Sequence, residues 1–125
     1  MMKKKVLLVD DSATVLMVEK MILAKGPFEI VTARDGLEAV AKSLTEKPDV
    51  ILLDVMMPNL DGLSACAAIR AQPETAGIPI IMVTTRGEEQ SIETAFRNGC
   101  TDYVTKPVNG LELLTKLQNL FEVPA

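Results

Sequence analysis

Six polar side chains stand directly after short apolar runs, where the strands of a sheet would end. They are Asp10, Asp11, Asp54, Thr84, Thr85 and Lys106. Two carboxylates about 4 Å apart repel by about 4 kcal/mol at an effective dielectric of about 20, so three of them need a cation or a shared proton. Oxygen donors without nitrogen or sulfur favour Mg²⁺, which commonly works with phosphate, and a lysine suits a phosphoryl oxygen. The set predicts a magnesium site that handles phosphate.

Each of these residues also has a purely structural interpretation. Asp10 or Asp11 could cap the helix that follows, and Asp54 could open a loop. Thr84 could simply end a strand, and Lys106 with the proline after it could form a surface turn. Their joint placement, after the first, third, fourth and fifth apolar runs, favours chemistry over the separate structural roles.

The elements that must position these side chains can be predicted from an alternation of apolar runs and helical segments. The predicted strands are Lys5–Val9, Phe28–Thr32, Val50–Leu53, Ile78–Val83 and Asp102–Thr105. The predicted helices span residues 12–26, 36–46, 60–71, 87–98 and 109–121. Strict alternation predicts an α/β fold with a doubly wound parallel sheet. Such sheets bind ligands beyond the carboxyl ends of their strands, where the polar side chains stand.

Capping and turn residues support these helix boundaries. Gly26–Pro27 and Asn98–Gly99 predict the ends of the first and fourth helices, because glycine is favoured just past a helix. Asp35 with Glu38, and Asn109 with Glu112, predict the capped starts of the second and fifth helices.

The composition argues against several other kinds of protein. A formal net charge of −4 and only four aromatic residues (one Tyr and three Phe) argue against a nucleic-acid binder. The absence of histidine excludes Ser-His-Asp catalysis and His-ligated zinc. Cys66 and Cys100 are expected to be reduced, small buried residues. Because no apolar run approaches the length of a signal segment or a membrane span, we expect a cytoplasmic protein without a membrane partner.

The motifs after the strands resemble those of the receiver domain of bacterial two-component response regulators. The resemblance is carried by Asp10-Asp11, Asp54-Val55-Met56-Met57-Pro58-Asn59-Leu60-Asp61-Gly62, Thr84 and Lys106-Pro107. It covers essentially the whole chain. It implies a flavodoxin-like five-stranded parallel sheet in the order 2-1-3-4-5 with five helices. It also implies a single receiver domain over residues 1–125, a stand-alone receiver of the chemotaxis-regulator kind.

The resemblance further implies a role for each residue of the site. Asp54 would be the phosphoacceptor, a carboxylate nucleophile that forms an acyl phosphate. Asp11 and Asp54 would ligate Mg²⁺ directly, Asp10 would act mainly through metal-bound water, and the backbone carbonyl of Met56 would complete the protein's ligands. Lys106 would pair with the phosphoryl group, and its peptide bond to the following proline is expected to be cis, which would direct the lysine into the site.

The resemblance also implies which residues switch the conformation and which control the access of water to the phosphoryl group. Thr84 would hydrogen-bond the phosphoryl group, and Tyr103 matches the aromatic residue that turns inward when the threonine moves. Met56 and Arg86 would flank the route of the attacking water, where they could either shield the phosphoryl group or steer water toward it. Thr85 occupies a place that usually holds a smaller residue, so access is expected to be slightly tighter.

The implied function is signalling without turnover of a separate substrate, so we do not expect an enzyme. The phosphodonor would be the phosphohistidine of a sensor histidine kinase or a histidine phosphotransfer protein, and the downstream protein target is not predictable. The output surface would comprise the fourth helix, fifth strand and fifth helix, shifted between two arrangements by phosphorylation. The alternatives are a relay or phosphate-sink receiver, which passes the phosphate on, and a non-phosphorylated interaction module.

Two rival functions share parts of this pattern. A flavodoxin-like FMN carrier needs a hydroxyl- and glycine-rich loop after the first strand, but Asp10 and Asp11 would repel the phosphate of FMN there. A phosphatase with an aspartate nucleophile normally has that nucleophile after the first strand, two residues before a second aspartate, and Ser12 and Ala13 do not supply this spacing.

The first helix is a second candidate for a binding surface. We expect Val15, Val18 and Ile22 to face the sheet. More apolar residues extend around the helix than one buried face needs: Leu16, Met17, Met21 and Leu23. Part of this stripe could dock a helical phosphodonor, or the residues could pack against the fifth helix or be exposed singly.

Overall fold

Strands and helices alternate five times within residues 3–85 and 89–121, the ranges that the computed structural model describes. The strands are β1 (Lys4–Val9), β2 (Phe28–Ala33), β3 (Val50–Asp54), β4 (Ile80–Thr84) and β5 (Asp102–Thr105). The helices are α1 (Ala13–Leu23), α2 (Gly36–Glu46), α3 (Gly62–Ala71), α4 (Glu89–Arg97) and α5 (Gly110–Phe121). The predicted alternation is confirmed.

All neighbouring strands of the sheet are parallel, in the order β2-β1-β3-β4-β5. This confirms the flavodoxin-like arrangement. The register pairs Asp54 of β3 with Val83 of β4, and Thr84 of β4 with Thr105 of β5. The carboxyl ends of β3, β4 and β5 are therefore level with one another, and the polar residues at these ends lie along one edge.

Both faces of the sheet are covered by helices. Every residue of β3 and β4 is buried, as expected for strands between two helical layers. One hydrophobic cluster joins the sheet to α2, α3 and α4 through Ala39, Ile69 and Ala95. The other joins it to α1 and α5, mainly through leucines. Each fully buried leucine contributes about 1.5–3 kcal/mol relative to an exposed one, so the two clusters hold the edge with the polar residues firmly.

Three of the four predicted helix caps are confirmed, while the predicted start of the fourth helix at residue 87 lies outside the described residues. Asp35 accepts a hydrogen bond from the Glu38 amide at 2.8 Å, and Asn109 accepts one from the Glu112 amide at 2.9 Å. Gly99, just past α4, has a φ of 100°, which glycine adopts without steric cost. These caps fix where α2, α4 and α5 begin or end.

The predicted end of the first helix is wrong by about three residues. α1 ends at Leu23, with Ala24 as its C-cap, so Gly26 lies beyond the usual glycine position. The amide of Gly26 donates to the Leu23 carbonyl at 3.0 Å, an i→i−3 bond that tightens the chain before β2. This tighter turn replaces the last predicted turn of α1.

The predicted buried face of α1 is only partly right, because Ile22 packs against the hydrophobic core but is not among the fully buried residues. The buried residues are Leu16, Glu19 and Leu23, while Val18 is exposed. These three share one helical face by their i, i+3, i+7 spacing. Because Glu19 is charged at its ordinary pKa, the sequence pattern favoured the neighbouring face instead. The expectation of surplus apolar surface is confirmed for Met17 and Met21, which are 60% and 65% exposed.

Both cysteines are free and buried, as predicted. Burial raises the pKa of the Cys66 thiol, and it raises that of Cys100 to about 11. The thiols are therefore poor nucleophiles at neutral pH. None of the described helices has the length and apolar character needed to cross a membrane.

Candidate functional site

The ends of β1, β3 and β5 bring three charged side chains into contact. Nζ of Lys106 lies 3.1 Å from Oδ2 of Asp10 and 3.0 Å from Oδ1 of Asp54. Asp10 and Asp54 are 1% and 4% exposed, so these ion pairs are largely shielded from water. One ammonium therefore bridges two buried carboxylates at the edge of the sheet that the sequence predicted.

A third carboxylate completes an oxygen-rich cluster. Asp10, Asp11 and Asp54 each offer one carboxylate oxygen, and these oxygens all lie within 4.8 Å of one another. Asp11 is exposed, so the cluster opens to solvent on its side. Three hard oxygen donors beside an open approach fit Mg²⁺, which keeps several of its waters. The side chain of Met56 is 70% exposed, and the ligand role of its carbonyl stays a prediction.

The electrostatics of the cluster are set mainly by burial. Burial raises the pKa of Asp54 to about 6, and the Asp10 charge adds to this while Lys106 opposes it. Burial would lower the pKa of Lys106, but its contacts with Asp54 and Asp10 outweigh that effect and raise the pKa. Lys106 therefore stays charged, and the ionised Asp54 is held at a cost that a bound cation would relieve.

The residues around Asp54 are held by the loop after β3. The Gly62 amide donates to the Val55 carbonyl at 2.8 Å, and a Cβ at position 62 would lie 1.9 Å from the backbone oxygen of Asp54. Asp61 caps α3 by accepting a hydrogen bond from the Ser64 amide at 2.8 Å. The Asp-Gly pair of the motif thus anchors α3 directly against the backbone of Asp54.

Two further contacts hold Asp10 and Lys106. Oδ1 of Asp10 accepts a hydrogen bond from the Ser12 amide at 2.9 Å, which leaves Oδ2 toward Lys106. The backbone amide of Lys106 donates to the Thr84 carbonyl at 2.6 Å, and the bond between Lys106 and Pro107 is cis, as expected. The lysine is thereby tied to β4 as well as to the carboxylates.

Thr84 lies at the same edge but turns toward β5. It is fully buried, and its hydroxyl donates to the Val104 carbonyl at 3.4 Å. Tyr103, its predicted partner, is half-buried and packs edge-to-face on Phe96 with ring centroids 6.3 Å apart. The ammonium of Lys116 lies 5.2 Å from the centre of the tyrosine ring. Thr84 therefore contacts β5 at Val104, the residue after Tyr103 in the chain.

The two residues after Thr84 were predicted to tune access to the site. Thr85 is exposed and directly follows the buried Thr84. Arg86 lies outside the described residues. The effect of both residues, and of the Met56 side chain, on access stays a prediction.

Glu19 is a site residue that the sequence analysis missed. It is 1% exposed, and its Oε1 atom has no hydrogen-bond partner in the part of the chain that the structure describes. Burial raises its pKa to about 8, Asp10 and Asp54 add to this, and Lys106 opposes it. A buried unpartnered oxygen costs about 1–3 kcal/mol. The sequence signal that could have revealed Glu19 is its spacing from Leu16 and Leu23, which places the three residues on one face of α1.

Glu19 and Lys106 line the same cleft, between α1 and the loop from β5 to α5. Its volume is about 370 Å³, and it is also lined by Thr14, Val15, Val18, Pro107 and Val108. Most of these residues are apolar. Lys106 therefore also borders a mainly apolar cleft, and Glu19 is the acidic residue among those that line it.

Comparison with known proteins identifies the family. A profile described as response regulator receiver domain matches residues 6–118. Protein PilH of Pseudomonas aeruginosa is 39% identical over 110 residues, which cover 88% of this chain and 91% of PilH. Three other curated relatives are 38–40% identical to this chain. The chain spans about half of their length: 48%, 47% and 48%.

Solved structures share the fold at similar identity. Chemotaxis protein CheY4 of Vibrio cholerae has a TM-score of 0.87 and 35% identity, over 95% of this chain and 99% of that one. The receiver domain of the sensor histidine kinase PA1611 of P. aeruginosa, solved with magnesium in its active-site cleft, has a TM-score of 0.87 and 32% identity over 94% and 97% of the two chains. With the profile covering most of its length, this chain belongs to the response regulator receiver domain family.

Proposed function

We propose that this receiver domain accepts a phosphoryl group on Asp54 from a phosphohistidine, in a Mg²⁺-dependent reaction. An oxygen of the Asp54 carboxylate attacks phosphorus, the P–N bond breaks, and the histidine nitrogen leaves with the electron pair and takes up a proton. The observation that carries the proposal is the cluster of oxygens from Asp10, Asp11 and Asp54 with Lys106 in contact. Such a cluster supplies the charge stabilisation and positioning that phosphoryl transfer needs.

The chain's own groups divide the work of the transfer. Asp10, Asp11 and Asp54, with the Met56 carbonyl, would hold the cation, which neutralises phosphoryl charge when it is bound. Lys106 would pair with a phosphoryl oxygen as a point charge. No histidine or other general base is needed on this chain, because a carboxylate above its pKa of about 6 is already ionised at pH 7.

The donor would be a sensor histidine kinase or a histidine phosphotransfer protein, acting in the cytoplasm. The exposed apolar residues Met17, Val18 and Met21 of α1 support donor docking beside the cleft, since three such residues on one helix form more apolar surface than a solvated helix needs. The free buried cysteines suit a reducing compartment. Residues 1–125 would act as one receiver domain, without turnover of a separate substrate.

The output would pass through Thr84 and Tyr103 to the surface of α4, β5 and α5. Thr84 now donates to β5, so a phosphoryl group on Asp54 would compete for its hydroxyl. If the hydroxyl moved, Tyr103 could turn toward the vacated space and change its contact with Phe96. Phosphorylation would then shift the populations of two arrangements of this surface.

The direct test is intact-mass analysis after incubation with acetyl phosphate and Mg²⁺. The parent is expected to gain the mass of one PO₃H group, and Asp54→Asn and the parent with EDTA are expected to gain none. An adduct of equal yield in Asp54→Asn would place the acceptor elsewhere. An unmodified parent that is folded and binds Mg²⁺ would favour the non-phosphorylated interaction module.

A further inference from the structure

The ammonium of Lys106 pairs with two buried carboxylates, and a third acidic residue, Glu19, lines the same cleft as the lysine. Its ion pairs run to Asp10 and Asp54. An ammonium has three N–H donors, so at least one remains for another acceptor. Glu19 lines the same cleft as Lys106, is 99% removed from solvent, and has a carboxyl oxygen without a partner among the described residues.

This arrangement would allow the lysine a second position besides the one it occupies. In the structure it occupies the first, against Asp10 and Asp54. A cation held by the oxygens of Asp10, Asp11 and Asp54 would repel the ammonium and occupy the acceptors on which the first position depends. The second position would lie toward Glu19, in the cleft that Val15, Val18 and Val108 line, where an apolar lysine stem can be accommodated.

We propose that Glu19 is a positioning residue, whose carboxyl oxygen accepts a hydrogen bond from Lys106 when a cation occupies the aspartate cluster. This inference rests on the phosphoacceptor function proposed above and adds a residue to it. Glu19 is buried on the sheet-facing side of α1, between Leu16 and Leu23, and one of its carboxyl oxygens has no hydrogen-bond partner within residues 3–85 and 89–121. The second position of Lys106 gives that atom its partner.

The contact between Lys106 and Glu19 has opposite effects on cation binding and on phosphorylation. By stabilising the displaced lysine, Glu19 favours cation binding. By the same contact it competes with the phosphoryl oxygens for the ammonium, so it slows phosphorylation. A binding equilibrium can shift only through such differential contacts between states.

The test compares Glu19→Leu, which removes the acceptor, with Glu19→Gln, which keeps an oxygen acceptor of the same reach. We expect Glu19→Leu to bind Mg²⁺ 3- to 10-fold more weakly in calorimetric titration, and to be phosphorylated by acetyl phosphate 3- to 10-fold faster at saturating Mg²⁺. Glu19→Gln should stay within about 2-fold of the parent in both measurements. At saturating Mg²⁺ the Cε–Hε NMR signal of Lys106 should reach the same position in the parent and Glu19→Gln, and a different position in Glu19→Leu.

The outcomes separate this inference from the proposed function. A melting curve without cation verifies that each variant is folded, and a leucine at this buried position is expected to fold well. Unchanged Mg²⁺ affinity in Glu19→Leu, or equal changes in Glu19→Leu and Glu19→Gln, would overturn the role of the carboxyl oxygen. Absence of an Asp54 adduct in the parent would instead reject the phosphoacceptor function, while the Mg²⁺ and NMR measurements would still decide the position of Lys106.

Discussion

At the scale of single residues, the site combines one ammonium with carboxylates that burial makes costly to ionise. Asp54 and Glu19 both have a pKa above the ordinary value for their side chains, about 6 and about 8, and burial is the largest cause for each. Lys106 offsets part of the cost through its two ion pairs. The residues that could bind a cation and a phosphoryl group therefore lower the stability of the empty domain, as is common where function sets residue choice.

Replacing Asp54 with asparagine is expected to stabilise the cation-free domain by about 1 kcal/mol at pH 7.5, a value reduced for partial solvent screening. The raised pKa of Asp54 means that its ionisation destabilises the fold as pH rises from about 4 to about 6. The gain of Asp54→Asn should therefore be present above pH 6 and small below pH 4. Urea denaturation in EDTA at pH 7.5 and below pH 4 measures it, and a lower midpoint for Asp54→Asn at pH 7.5 would contradict the destabilising effect of the ionised carboxylate.

Glu19 should make the stability of the domain depend on pH between about pH 4.5 and about pH 8. Its pKa of about 8 lies above the ordinary 4.5, so the folded state holds the proton more tightly. The stabilisation that comes from this tighter proton binding is complete below about pH 4.5. It is lost as pH rises to about 8, by a few kcal/mol in total. We expect the stability advantage of Glu19→Leu over the parent to grow across this window and then level off. Denaturation midpoints at pH 5, 7 and 9 test this, with Glu74→Gln as the control variant because Glu74 is exposed.

At the scale of elements, the apolar runs and caps were sufficient to predict where strands and helices lie, because covered parallel strands need continuous apolar residues. The order of the strands came from the resemblance, since local patterns do not specify which strands are neighbours. The buried face of α1 was predicted only in part, because a glutamate on that face conceals its i, i+3, i+7 pattern. The alternative partners of Lys106 could not be predicted either, since they depend on distances between β1, β3, α1 and the loop after β5.

The loop between β3 and α3 should tolerate no side chain at Gly62. A Cβ there would lie 1.9 Å from the Asp54 backbone oxygen, so Gly62→Ala must displace α3 or the end of β3. We expect a loss of about 2–4 kcal/mol of stability and a marked loss of Mg²⁺ affinity. Gly77→Ala is the matched control, because a Cβ at position 77 meets nothing within 4 Å. Equal melting temperatures for the two variants would show that the loop adapts at little cost.

At the scale of the whole molecule, the sheet connects the carboxylates of Asp10, Asp11 and Asp54 to the hydrophobic core that stabilises the domain. The three carboxylates follow two central strands whose residues pack in both hydrophobic clusters. Repulsion within the cluster is therefore opposed by the packing of both helical layers rather than relieved by movement of one loop. A ligand that binds only the folded arrangement of these carboxylates should stabilise the entire domain.

Mg²⁺ should accordingly raise the melting temperature of the parent in proportion to the logarithm of its concentration above Kd. At about 100 times Kd the gain is about 2.7 kcal/mol, which for a domain of this size is several degrees. Asp11→Ala removes an exposed member of the cluster and leaves the buried ion pairs of Lys106 in place, so it should fold normally but gain less from the same Mg²⁺. Thermal melts across a Mg²⁺ series measure the difference, with Asp49→Ala as the control variant because the exposed Asp49 precedes β3 at the end opposite Asp54. Identical shifts in the parent and Asp11→Ala would remove Asp11 from the ligands, while a reduced shift in Asp11→Ala alone would show that the cation contacts this carboxylate.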